Sequence, residues 1–249
     1  MKNILKDRLA GNQVCVGGWI TVPTPVVAEA MATMGFHWVA VDMEHAPISE
    51  GDIQGVFIAL EKCGVSPMVR LPSADPYLAR RMLDSGAAGL IVPVVEDAVE
   101  FSKFAAYCAY PPKGTRGVGL SRCNGWGESF DDYLQNFEPV LVPQIETVAG
   151  VAAAGEIAAL DEVDAVFVGP YDLSASLGDQ GDFSTAEFKS AMGIVRDACD
   201  AAAKPVGVHQ VDPDPDALKD QIDEGFRFVA FGTDMIAMRA ALELPENFQ

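Results

Sequence analysis

Eight short runs rich in valine and isoleucine, separated by longer stretches of helical spacing, constrain this chain more than any other feature. The runs fall at residues 14–20, 36–43, 67–71, 89–95, 140–146, 164–169, 205–209 and 226–232. A strand covered on both faces is a nearly continuous apolar segment, and strands that alternate with helices build parallel sheets through βαβ crossovers. Eight such units predict an α/β fold in which a (β/α)8 TIM barrel closes on itself. At 249 residues the chain has the length of one such barrel, so the span 1–249 is expected to form a single domain. Helix ends fit the same frame. Ser49 is placed to cap a helix closing near Gly64, and Asp75 followed by Pro76 opens another that stops before Gly86. The GxGxxG fingerprint of a dinucleotide fold does not follow the first run. Two connections, 110–137 and 171–183, exceed what a simple unit needs and are expected to be ordered functional loops.

Charge narrows the partners. Thirty-six acidic against seventeen basic residues leave a net charge of −19, which repels nucleic acid and anionic membrane surfaces. A small anionic substrate then needs its own local positive charge from an arginine, a helix N-terminus or a cation. Charges at Lys6, Asp7 and Arg8 interrupt any apolar signal core, and no apolar run approaches the ~20 residues of a membrane span, so a cytoplasmic protein is expected. The five cysteines are widely spaced and contain no CxxC pair, which suggests neither a disulfide framework nor a zinc site.

In a barrel the active site gathers at the carboxyl ends of the strands. The second run ends in Asp42, Glu44 and His45, the third near Arg70, the fifth in Gln144 and Glu146, and the sixth runs into Tyr171 and Asp172. Glu146 and Asp172 can share a hard divalent cation such as Mg²⁺ or Mn²⁺, with Co²⁺ as a further candidate and Asp42 as an additional ligand candidate. Arg70 offers the planar fork that a carboxylate requires, and His45 is the natural proton carrier. Each has a plainer role: a strand-end carboxylate is often a helix cap or ion-pair partner, and Arg70 can simply neutralise nearby acids. Of the other histidines, His37 stands at the start of its strand, where a structural role fits, and His209 ends the seventh run as a weaker site candidate. The lysines fall in termini, helices, loops or strand starts, which favours a metal enolate over a Schiff base. The segment KGTRGVG, 113–119, can cradle an anion through its amides or merely shape a loop.

The segments VDMEHAPIS (41–49), MVRLPSADPYLARRMLDSGAAGLIVPVVE (68–96), YPPKGTRGVG (110–119), VPQIET (142–147) and VFVGPYDLSASLG (166–178) closely resemble the HpcH/HpaI family of class II pyruvate aldolases. The resemblance runs from about residue 14 to 240. It implies a (β/α)8 barrel assembled as a hexamer from two trimers, with Glu146 and Asp172 as metal ligands, Arg70 on the pyruvate carboxylate and transition state, and His45 as general base. It further implies a substrate contact by Gln144, a backbone contact to the 2-oxo acid from Tyr171, and Asp84 as the carboxylate that raises the basicity of the histidine. Asp84 falls near a helix end, so a neighbouring subunit is expected to supply it. Tyr171 and Met43 replace small residues of the better-known sugar-acid members and add bulk near the aldehyde end.

The resulting expectation is reversible aldol cleavage of a 4-hydroxy-2-oxo acid to pyruvate and an aldehyde, with a small 2-oxo acid and an aldehyde as the only partners besides other copies of the chain. The rivals are an acyl-CoA lyase of the malyl- or citryl-CoA type, which needs positive charge for the CoA tail, and a catalytically idle metal-binding barrel.

Overall fold

The computed structural model describes residues 2–242; residue 1 and residues 243–249, which belong to the expected domain span, lie outside it. Strands β1 (Cys15–Ile20), β2 (Trp38–Asp42), β3 (Ser66–Arg70), β4 (Gly89–Val92), β5 (Val140–Ile145), β6 (Val166–Val168), β7 (Val206–Gln210) and β8 (Phe228–Phe231) pair in chain order, all parallel, and β8 returns to β1. The expected (β/α)8 barrel is therefore the fold, as a single domain. Each strand lies within or one residue beyond the apolar run that predicts it. Ser49 and Asp52 form a capping box on the helix Glu50–Lys62, and Asp75 accepts the Tyr77 and Leu78 amides at the start of Pro76–Asp84.

The alternation of side chains along a strand sorts the residues into two cores. Val39, Val41, Val69, Leu90, Val166 and Val229 face the helices. Trp19, Trp38, Met68, Ile91, Val142, Phe167 and Phe228 fill the barrel interior, whose N-terminal end is plugged by Leu5 and Leu9 of the helix Ile4–Ala10. Trp38 and Phe228 stack with centroids 4.2 Å apart, and Trp19 and Phe167 stack at 6.1 Å. Such large rings fit because glycine stands opposite them. A Cβ at Gly17 would lie 2.1 Å from the Trp38 ring, and one at Gly207 would lie 2.3 Å from the Phe228 carbonyl oxygen. The ring stack fills the lower barrel, so the open space inside the barrel lies at the carboxyl ends of the strands.

At the N-terminal end, Lys6 Nζ donates to both oxygens of Asp164 at 2.7 and 2.9 Å, and Lys204 Nζ donates to the Val163 carbonyl at 2.6 Å. His37 also sits there, 2.8 Å from Arg8 Nη2, and accepts the Val16 amide on Nδ1 at 3.1 Å; burial, then the Arg8 charge, holds its pKa below the ordinary imidazole value. This is the structural role expected for it.

The two long connections are more ordered than loops. Residues 110–137 contain a 3-10 turn, Arg122–Gly127, and the helix Phe130–Asn136. Residues 171–183 begin inside the helix Pro170–Leu177, which starts on a proline and ends at Gly178 with φ 98°. The KGTRGVG segment is a loop-shaping element: the Gly114, Thr115 and Arg116 amides bond to the Tyr110, Ala106 and Ala109 carbonyls, which leaves none of these three for an anion. All five cysteines are free, and among the described residues no helix is long and apolar enough to cross a membrane.

The glycine–tryptophan contact yields a stability test. Gly17→Ala forces the Trp38 ring to move, at a cost of about 1–3 kcal/mol for overpacking. Urea unfolding of the variant should show that loss, whereas wild-type stability would mean the ring stack yields freely.

Candidate active site

The same period of two that fills the lower barrel with rings delivers polar residues to its mouth. Counting on from the inward Trp38 and Ala40 gives Asp42; from Met68, Arg70; from Val140 and Val142, Gln144 and then Glu146. Trp19 and Thr21 follow from β1 and His209 from β7. Trp19, Thr21, Asp42, Arg70, Gln144 and His209 line a cavity of about 320 Å³ to which His45, Tyr171 and Asp172 also contribute. A larger cavity of about 670 Å³ lies on the flank between the helices Pro76–Asp84 and Ala98–Cys108. It lacks the convergence of arginine, histidines and inward strand-end carboxylates found at the mouth, which is the stronger mark of a site.

Asp42 and Arg70 are register partners on β2 and β3. Arg70 Nε donates to Asp42 Oδ1 at 2.9 Å and Nη2 to Oδ2 at 2.6 Å, while Nη1 lies 3.1 Å from Glu44 Oε2. The guanidinium also sits 4.9 Å over the Trp19 ring. Burial pushes the Asp42 carboxyl up, but the hydrogen bonds and charge of Arg70, with smaller help from Trp19, outweigh it and leave Asp42 below its ordinary value. With both oxygens engaged by Arg70, Asp42 positions the fork. Asp42 Oδ1 also accepts the Glu44 and His45 amides at 3.1 and 3.3 Å, so it sets the turn that carries His45. The His45 side chain is 64% exposed at the cavity rim, with Nε2 3.8 Å from Glu44 Oε2.

Glu146 is buried, and Val94 donates its amide to Oε1 at 2.7 Å while the Gln144 amide group donates to Oε2. Val94 reaches inward because the chain turns at the end of β4 through a positive φ of 53°. A Cβ on Gly169 would stand 2.4 Å from Glu146 Oε2, so this carboxylate occupies space that only glycine leaves. Burial raises the Glu146 carboxyl above its ordinary value; the Asp172 charge adds to that, and the Gln144 and Val94 hydrogen bonds offset only part. Burial likewise raises Glu44, with the charges of Glu146 and Asp42 acting in the same direction. Asp172 lies in the first turn of the helix Pro170–Leu177, whose first satisfied amide is that of Leu173, bonded to the Gly169 carbonyl at 2.9 Å. The Tyr171 and Asp172 amides therefore belong to the open end of a helix.

Asp42 and Glu44 thus hold the one guanidinium, Glu146 feels the charges of both Arg70 and Asp172, and the Oε1 of Gln144 is buried without a partner. This donor set fits a hard divalent cation: it is all oxygen, it is short of positive charge, and two carboxylate ligands would leave coordination positions open. Among the described residues, no three histidine, cysteine or carboxylate side chains converge closely enough to form a complete site by themselves.

Asp84 and His209 stand as follows. Asp84 does not meet His45 within the chain; at the end of the helix Pro76–Asp84 its Oδ1 accepts Arg116 Nη2 at 2.6 Å, and that arginine is fully buried over Tyr110. His209 lines the cavity with its ring 4.6 Å from Trp19 and Nε2 3.3 Å from the Gly232 carbonyl; burial above all lowers its pKa to about 4. Trp19, Thr21 and Thr233 also reach the cavity without having been expected there. Inward parity at the end of β1 marks Trp19 and Thr21, whereas nothing in the sequence marks the Val94 amide. No lysine lines the cavity among the described residues.

The HpcH/HpaI aldolase/citrate lyase family matches residues 16–241. A hydroxypyruvate/pyruvate aldolase from Delftia acidovorans is 37% identical, over 96% of this chain and 89% of its own length. A 5-keto-4-deoxy-D-glucarate aldolase from Salmonella paratyphi A is 34% identical, over 99% and 97%. The crystal structure of an HpcH/HpaI aldolase/citrate lyase family protein from Burkholderia cenocepacia J2315 superposes with a TM-score of 0.90 at 33% identity, covering 96% of both chains. The chain belongs to the HpcH/HpaI aldolase/citrate lyase family.

Proposed function

We propose that this protein is a carbon–carbon lyase that reversibly cleaves a 4-hydroxy-2-oxo acid to pyruvate and an aldehyde with the help of a divalent cation. The observation that carries the reading is the juxtaposition, at one barrel mouth, of a bidentately held guanidinium with a buried oxygen donor set that lacks positive charge. Relatives named as pyruvate and sugar-acid aldolases support it.

Glu146 and Asp172 hold the cation, Mg²⁺ or Mn²⁺ with Co²⁺ as a further candidate. When bound, it supplies Lewis-acid stabilisation of the charge that the 2-oxo oxygen gains during cleavage. Arg70 binds the pyruvate carboxylate, its fork aimed by Asp42 and backed by Trp19. Gln144 and the open amide of Tyr171 complete the contacts to the 2-oxo acid. His45 takes the proton of the C4 hydroxyl. The C3–C4 bond then breaks, its electron pair delocalises through C2 onto the 2-oxo oxygen, the aldehyde leaves, and a proton added at C3 gives pyruvate.

The location of His45 on an exposed rim suits a base that exchanges protons with water or with a group from a neighbouring copy. Asp84 of an adjacent subunit is that group in a hexamer built as a dimer of trimers, the whole acting as one barrel domain per chain in the cytoplasm. A CoA-dependent lyase is disfavoured, because Arg70 is the one fixed cation among the described residues lining the cavity.

Chelation should abolish pyruvate release from a 4-hydroxy-2-oxo acid, and Mg²⁺ or Mn²⁺ should restore it; Glu146→Ala and Asp172→Ala should each remove that rescue. Full turnover after verified metal removal contradicts the reading. His45→Ala should lower kcat by about 10²–10⁴-fold with metal affinity and melting temperature near wild type, as expected for an exposed general base. A kcat within about threefold of wild type, under ~1 kcal/mol, would assign the proton transfer to another group.

A further inference from the structure

His209 lines the cavity, yet the proposed reaction gives it no task. On β7, Val206 and Val208 face the helices and Gly207 faces Phe167 and Phe228, so alternation along the strand turns His209 into the barrel mouth. Its ring lies 4.6 Å from that of Trp19, and Nε2 is 3.3 Å from the Gly232 carbonyl oxygen. A carbonyl only accepts, so Nε2 carries the proton of that bond. Burial above all lowers the ring pKa to about 4, which leaves no second proton near pH 7. Nδ1 is therefore a bare acceptor, and among the described residues no group donates to it.

Thr21, which lines the same cavity, has the same polarity. Its hydroxyl gives its proton to Asp234 Oδ1 at 2.6 Å, and Asp234 is held there by the Thr21 and Val22 amides at 2.9 and 2.8 Å, so the Thr21 oxygen keeps only lone pairs to offer. Thr233 Oγ1 accepts the Ile236 amide at 3.2 Å as a helix cap, and Val211 is apolar. In the proposed reaction pyruvate and the cation take the side built by Arg70, Gln144, Glu146 and Asp172, which leaves the lining from β7, β8 and β1 to the aldehyde. A cavity of about 320 Å³ shared with pyruvate admits a short fragment, so the carbon next to the aldehyde carbon faces this lining. A methyl or methylene group there leaves the acceptors unfilled, whereas a hydroxyl fills one.

We propose that His209 is a specificity-determining residue that accepts, on Nδ1, a hydroxyl carried by the carbon next to the aldehyde, with Thr21 as a second acceptor, so that the protein prefers 2-hydroxyaldehydes to their deoxy counterparts. The proposal rests on the pyruvate-aldolase reading. A site that hydrogen-bonds a substrate hydroxyl rejects the analogue lacking it, because its own buried group is then left unpaired; one neutral bond of this kind gives about tenfold or greater discrimination in kcat/KM.

The test uses the Mg²⁺-loaded protein and pyruvate in the synthetic direction, with acceptors that differ by one oxygen: glycolaldehyde against acetaldehyde, and lactaldehyde against propanal. The hydroxylated member of each pair should react with about tenfold or greater kcat/KM. His209→Phe keeps a ring against Trp19 but removes the acceptor, so the ratio within each pair should fall by about tenfold, whatever the intrinsic reactivities of the two aldehydes. His209→Asn returns an oxygen acceptor near the place of Nδ1 and should recover part of the ratio. His209→Leu makes the same measurement should the phenylalanine variant not fold. A wild type without preference for the hydroxylated members, or a folded His209→Phe or His209→Leu that keeps the wild-type ratio, overturns the proposal. Exchange of the pyruvate C3 protons with deuterated water, followed by NMR on the wild type without any aldehyde, tests the underlying reading separately. Exchange without hydroxyl preference overturns this inference alone; no exchange overturns the aldolase reading and this inference with it.

Discussion

The Asp42–Arg70 pair is the interaction on which the rest of the mouth depends. Its two hydrogen bonds join neighbouring strands at matched register, so the barrel's own pairing sets their geometry. Breaking a pair this buried by removing one partner costs about 3–5 kcal/mol, since an uncompensated charge is left behind. The pair also reaches the surface: the oxygen that accepts Arg70 Nε is the one that orders the Glu44 and His45 amides. One carboxylate thus fixes both the anion fork and the turn bearing the proposed base. Charge accounts for the remainder, because Glu44 also contacts this guanidinium and Glu146 feels the charges of Arg70 and Asp172, so the carboxylates outnumber the fixed positive charge.

The lower barrel serves the mouth by being full. Two tryptophans and two phenylalanines pack face to face and edge to face where glycines leave room, so the ring stack forms a floor under Arg70 through Trp19. Gly169 does the equivalent for Glu146, whose oxygen takes the space of a missing Cβ. Glycine at these places permits close approach between elements, and in each case the neighbour is either a core ring or a site carboxylate.

The strands and their inward residues are legible in the sequence because burial on both faces and a period of two are local properties. Once the barrel is granted, Arg70, Gln144 and Glu146 must share an end, and His45 must hang beyond it. Tertiary partnerships are different. That Asp42 engages Arg70 with both oxygens, leaving Glu146 to Val94, depends on which of several acids wins one guanidinium, and composition does not rank them. The inward turn of Val94 at positive φ carries no residue signal at all, since valine is an unusual occupant of that conformation. Asp84 follows the same logic in reverse: its motif is clear, yet within the chain its partner is Arg116, 32 residues further on, a pairing that no local pattern marks. Asp234, whose carboxylate accepts the Thr21 and Val22 amides, is likewise unmarked in the sequence, since those partners belong to the opposite end of the chain.

The central claim is that Glu146 and Asp172 hold a divalent cation beside a carboxylate fork at Arg70. Crystals soaked with Mn²⁺ and pyruvate, measured at the manganese absorption edge, test it most directly. The account predicts one anomalous peak in contact with carboxylate oxygens of Glu146 and Asp172, with pyruvate beside it and its carboxylate on Arg70. A manganese peak elsewhere, or pyruvate bound away from Arg70, would contradict it.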